Sequence, residues 1–89
     1  MKQYRIDYTA NTRKALRKLD PGIRVMILKW VDKNLEGCSN PRAHGKALTG
    51  NLSGLWRYRV GEYRLIVEIQ DDRLVILMLQ AGHRREIYS

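Results

Sequence analysis

Leu55-Trp56-Arg57-Tyr58-Arg59-Val60-Gly61-Glu62-Tyr63-Arg64 alternates apolar and basic side chains on both sides of a Gly-Glu pair. Period-two alternation is the pattern of a strand with one face against a core. Gly61-Glu62 suits a two-residue hairpin turn, with glycine in the first central position. That turn fixes the register. Val60 then pairs with Tyr63, and Arg59 lies directly opposite Arg64. Arg57 falls beside that pair on the same face, while Trp56, Tyr58, Val60, Tyr63, Leu65 and Val67 form the core side. A change of one residue in the turn would scatter the arginines to both faces.

Working outward, the second strand runs over 63–69, and Asp71-Asp72 marks a turn. The run 74–79 is apolar on both faces and reads as a central strand. On the N-terminal side, residues 38–54 read as a loop punctuated by Ser39-Asn40-Pro41, Gly45, Gly50 and Gly54. It carries Arg42, His44 and Lys46 and no acidic residue. Connections of this length in a small domain are more often functional or mobile than inert.

Ahead of it, Ile23, Met26, Ile27, Trp30, Val31 and Leu35 recur at helical spacing. Asp20-Pro21 starts this helix and Gly37 stops it. Lys29 and Lys33 lie four apart on its solvated strip. A shorter helix with Ala15, Leu16 and Leu19 inside begins at a Thr9 or Asn11 cap. Tyr4, Ile6 and Tyr8 alternate as an N-terminal strand. The expected fold class is α+β: an N-terminal strand, a helical hairpin, then an antiparallel three-stranded meander. Residues 1–89 are expected to form one domain.

The chain carries 17 Lys and Arg against 9 Asp and Glu, a net charge of +8. So large an excess favours a polyanionic partner. No apolar run approaches the ~20 residues of a membrane-spanning helix, so no membrane partner is expected. Cys38 is the single cysteine, which excludes an intrachain disulfide and a cysteine metal site. No metal site or cofactor is expected. The N-terminus lacks the apolar stretch of a signal peptide, so a cytoplasmic location is expected.

Arginines facing each other across a hairpin repel, at a cost of roughly 0.2–1 kcal/mol per pair. Either the face is simply solvated, its guanidiniums splayed or paired with Glu62 and Glu68, or it is arranged to grip a phosphate through the planar guanidinium fork. Three arginines on one face, preceded by a basic loop, favour the phosphate. The chain ends Gly82-His83-Arg84-Arg85-Glu86-Ile87-Tyr88-Ser89. Gly82 is expected to bend the chain and carry His83 and the following arginines over the same face. Imidazole ordinarily titrates near ~6.5, which makes His83, alongside His44, the candidate for proton transfer. Tyr88 can stack on a base or move a proton.

Asn40-Pro41-Arg42, Gly45-Lys46, Leu48, the run from Leu52-Ser53-Gly54 through Arg64, and Gly82-His83-Arg84 with Tyr88 together resemble the RelE/ParE superfamily, the toxins of type II toxin–antitoxin pairs. The Gly-His-Arg ending with its following Tyr resembles the RNA-cleaving RelE branch. The resemblance implies a RelE-like fold and metal-independent, ribosome-dependent cleavage of mRNA, in which the substrate's own 2′-hydroxyl attacks the adjacent phosphate. It also implies Arg64 and Arg84 on the phosphate and Tyr88 on the nucleotide. Arg57 and Arg59 stand where the best-studied branch uses lysines, and arginine is a poor acid or base. His83 is therefore the expected proton carrier, with Tyr88 as the alternative. Arg42, Lys46 and Arg85 are expected to bind RNA or the ribosome. The implied partners are a cognate antitoxin, the ribosome with its mRNA and, for the toxin–antitoxin complex, operator DNA. The alternatives are a ParE-like, non-catalytic inhibitor of DNA gyrase and a silent relative that binds only its antitoxin.

Overall fold

The computed structural model describes residues 3–83, so the expectations for Arg84, Arg85 and Tyr88 lie outside the described residues. Strand β1 (Arg5–Tyr8) leads into helices α1 (Ala10–Lys18) and α2 (Pro21–Asn34). Three strands follow at the other end, β3 (Trp56–Val60), β4 (Tyr63–Gln70) and β5 (Val75–His83), with the short β2 (Gly45–Ala47) ahead of them. They form one five-stranded sheet in the order β1-β5-β4-β3-β2. The α+β class and the meander are as expected.

Local chemistry accounts for the helix starts. The Thr9 hydroxyl accepts from the Thr12 amide at 3.1 Å, capping α1. Asp20 caps α2 through the Gly22 amide, with Pro21 in the first turn. Gly37 follows α2 with φ +78°, the left-handed stop that glycine adopts without strain. Thr12, fully buried, donates its hydroxyl to the Met78 carbonyl at 2.7 Å and so ties α1 to β5.

The β3–β4 register is the one that the Gly61-Glu62 turn dictates, with Val60 opposite Tyr63 and Arg59 opposite Arg64. Tyr58, Leu65, Val67, Ile76 and Met78 from the sheet pack with Leu16, Ile27, Val31 and Leu35 from the helices to form the core. Both helices lie on that face and not on the other.

Three expectations need correction. Residues 38–54, read as a loop, contain two 3-10 turns (Pro41–His44 and Gly50–Leu52) and β2 between them. A three-residue Gly-Lys-Ala strand has little intrinsic β preference and exists only because β3 is there to pair with it. The central position belongs to β4, while β5 lies between β4 and the parallel β1. And Met26, expected inside, is 38% exposed, because α2 buries the narrower stripe of Ile27, Val31 and Leu35.

Candidate functional site

Alternation along paired strands determines which side chains share a face. Lys46 pairs with Arg57, and Arg59 with Arg64, on the face that the helices leave uncovered. The structure therefore brings Lys46, Arg57, Arg59 and Arg64 together on one rigid surface. Gly82 stands opposite Arg64 on β5. Ile66, opposite Arg57, is only 2% exposed although it faces away from the helices. Nε of Arg57 and Nε1 of Trp56 are buried with no hydrogen-bond partner among the described residues. A buried donor left unsatisfied costs about 1–3 kcal/mol, so an acceptor reaching Arg57 would recover stabilisation that the described chain does not supply.

At the β2 edge of this face lies a cleft of about 300 Å³, lined by Ala43, His44, Gly45, Lys46, Arg57 and Arg59. Gly45 pairs with Tyr58, and His44, the last residue of the 3-10 turn just before it, lines the cleft with Arg59. Gly45 is required for close packing. A Cβ there would collide with the Arg57 carbonyl oxygen and sit 2.6 Å from Trp56 Nε1.

The 3-10 turn that carries His44 is clamped from several sides. The buried Tyr58 hydroxyl donates to the Pro41 carbonyl at 2.6 Å, and burial pushes the Tyr58 phenol well above the ordinary tyrosine range. The Asn40 side chain accepts from the Arg42 amide at 3.2 Å. Trp30 meets the His44 ring edge-on at 6.3 Å, and itself packs on Tyr58 at 5.6 Å.

Arg42, expected as an RNA or ribosome contact, has an acidic partner within the chain. Its guanidinium donates to both Asp71 carboxylate oxygens, at 3.1 and 2.9 Å, and lies 6.0 Å from the Trp56 ring. The hydrogen bond to Asp71 holds the Arg42 pKa above its usual value. Tyr4 donates to the same carboxylate at 2.6 Å, which raises its own pKa. Arg42 thus braces the turn against the β4–β5 end of the sheet.

His83 departs from expectation in position. Gly82 does not bend the chain. It stays in the ladder opposite Arg64, and β5 continues through His83, which pairs with Tyr63. Alternation therefore sends His83 to the helix side of the sheet, where its ring meets Tyr63 edge-on at 5.5 Å. The arginines are on the other side. His83 is favoured over His44 by the family resemblance alone, since both histidines have the same side-chain chemistry. The thiol of Cys38 is pushed up by burial, which suits an idle cysteine. Among the described residues no group of three or more His, Cys, Asp or Glu side chains converges as a metal site. No helix there is long and apolar enough to cross a membrane.

With this geometry established, a family model described as the ParE toxin of the type II toxin–antitoxin system parDE matches residues 6–88. The chain belongs to the RelE/ParE superfamily of type II toxins. Within that superfamily it is 32% identical over 85 residues to Toxin RelG of Mycobacterium tuberculosis, covering 96% of this chain and 95% of the relative. The fold is similar to the toxin–antitoxin complex RelBE2 of the same organism, with TM-score 0.84, 30% identity, and coverage of 92% and 99% of the two chains. It is also similar to the archaeal RelE–RelB complex from Pyrococcus horikoshii, with TM-score 0.70, 30% identity, and coverage of 94% and 98%. The RelE-like fold expected from the sequence is therefore the one observed, with β2 in addition to the strands that the sequence predicted.

Proposed function

We propose that this chain is the RNA-cleaving toxin of its pair, an endoribonuclease acting on message presented by the ribosome. The observation that carries this reading is the outer face, on which Arg59 and Arg64 are held opposite each other with Arg57 and Lys46 alongside. Cleavage by an internal 2′-hydroxyl places extra negative charge on the phosphate in the transition state. Fixed guanidiniums on a sheet stabilise that charge without reorganising as the reaction proceeds. Holding like charges together in advance is unfavourable for the empty protein and favourable once a phosphate binds. Arg84 and Tyr88 complete the proposed set from the chain's end, with Arg85 as a further RNA contact.

Two observations, one on relatives and one on this chain, support a protein partner. Structures of RelBE2 and of the Pyrococcus protein are toxin–antitoxin complexes, and this surface is strongly basic. We assign a cognate antitoxin that masks part of the basic surface, and its binding should raise the thermal midpoint of the toxin with concentration. The second reading, a gyrase inhibitor, is favoured by the description of the matching family model. It requires no reactive group on the arginine face.

Incubating the pure protein with translating ribosomes and mapping message ends separates the two. Discrete cuts, lost in Arg64→Ala with the fold retained, support the endonuclease. Intact message together with inhibited gyrase supplies the second reading. Growth arrest by Arg64→Ala equal to that of the wild type would refute the phosphate role of this face.

A further inference from the structure

We infer that His44 is the proton-transferring group of this site, resting on the endonuclease reading above. Of the side chains that line the cleft, Lys46, Arg57 and Arg59 are cations, and arginine does not release its proton in proteins. His44 is the one among them whose side-chain type both gives and takes a proton near neutrality. It lines the cleft together with Arg57 and Arg59, its ring meeting Trp30 of α2 at the β2 edge, whereas His83 lies beside Tyr63 and does not line the cleft.

Its placement has the features of a prepared group. An exposed histidine in a loop ordinarily samples many positions, but this one follows a turn locked by the Tyr58–Pro41 hydrogen bond at 2.6 Å. It precedes Gly45, which is packed so closely against Trp56 that no side chain fits. The ring edge of Trp30 limits its rotation from the helix side. A base must be held in reach of the proton it removes, and these contacts do that without occupying the cleft. The charged groups facing it are Lys46 from β2 and Arg57 and Arg59 from β3. Helix α2 meets it with the uncharged Trp30 ring.

Neutral His44 takes the proton of the substrate 2′-hydroxyl as the O2′–P bond forms. The P–O5′ bond breaks, the cations hold the phosphoryl charge, and the departing 5′-oxygen takes a proton from solvent. The products are a 2′,3′-cyclic phosphate and a 5′-hydroxyl, and no oxidant or metal enters the balance.

The test is single-turnover cleavage of ribosome-bound message by the wild type, His44→Gln, His44→Ala and His83→Gln, with ribosome affinity and thermal midpoint measured for each. Wild-type cleavage should rise with pH as the base loses its proton. His44→Gln should cut ~100-fold or more slower, with that pH limb gone and ribosome affinity within about twofold of wild type. Added imidazole should restore part of the activity of His44→Ala, which a merely structural role would not allow. A His44→Gln enzyme with wild-type rate and pH profile overturns the assignment and leaves the endonuclease reading intact. So does a loss of rate without change of profile and without imidazole rescue. If the wild type itself leaves message uncut, both readings fall together.

Discussion

At Gly45 one hydrogen atom separates the observed edge from a broken one. Gly45→Ala would drive a methyl group into the Arg57 carbonyl and the Trp56 indole. We expect a loss of about 1–3 kcal/mol, read as a lower urea midpoint, with a change in tryptophan emission as Trp56 moves. An unchanged midpoint and emission would show that β2 does not pack as described. Tyr58 tests the clamp from the other side. Its buried phenol is held protonated above the ordinary tyrosine range, so folding favours the neutral form. The stabilisation is full below the unfolded value of ~10 and is lost as pH rises from there toward the higher folded value. Between pH 9 and 11 the wild type should therefore lose more stability than Tyr58→Phe. At neutral pH that variant should be weaker by ~1 kcal/mol for the lost hydrogen bond to Pro41. Parallel pH curves for the two proteins would remove Tyr58 from the account.

Among the elements, the joint between α1 and β5 contains one buried side-chain hydrogen bond. Thr12 donates to the Met78 carbonyl, lies 2.9 Å from the Thr9 hydroxyl, and belongs to the first turn of the helix that Thr9 caps. Thr12→Val keeps the volume and removes the hydroxyl. The Met78 carbonyl retains the Thr9 amide at 3.1 Å, so the expected cost is ~1 kcal/mol. Hydrogen exchange should locate that loss in α1 and leave the β3–β4 hairpin protected. Uniform loss of protection would mean that the helix and sheet open as a single unit. The hairpin was the element most legible beforehand. A two-residue turn joining two alternating runs leaves one register, and that register puts Arg59 against Arg64. β2 was not legible, because Gly-Lys-Ala carries no strand signal of its own and takes its conformation from β3.

For the molecule as a whole, a net charge of +8 means that the proposed association with ribosome and RNA should depend on salt through released counterions. Each arginine that contacts a phosphate should contribute ~1 to the slope of log affinity against log salt. Arg59→Ala should therefore flatten the slope by about that amount, whereas Arg42→Ala should leave it nearly unchanged, because Asp71 already neutralises that guanidinium. Arg42→Ala should instead lower stability by about 1 kcal/mol or less, the usual worth of an exposed ion pair. Equal slope changes in the two variants would place Arg42 on the nucleic acid after all.

Local chemistry alone determined several features: the caps at Thr9 and Asp20, the stop at Gly37, the turn at Gly61-Glu62, and the face that Arg57, Arg59 and Arg64 share. Each depends on residues within a few positions of one another, and backbone geometry at that range has few solutions. Tertiary structure decided the rest. Asp71 claims Arg42 from 29 positions away. A ladder across to Arg64 keeps Gly82 straight and turns His83 to the helix side. Pairing with β3 makes a strand of Gly45–Ala47 and lodges His44 at the cleft beside the arginines. None of these has a local signature, because in each the partner that supplies the energy is distant in the chain and becomes a neighbour only when the sheet closes.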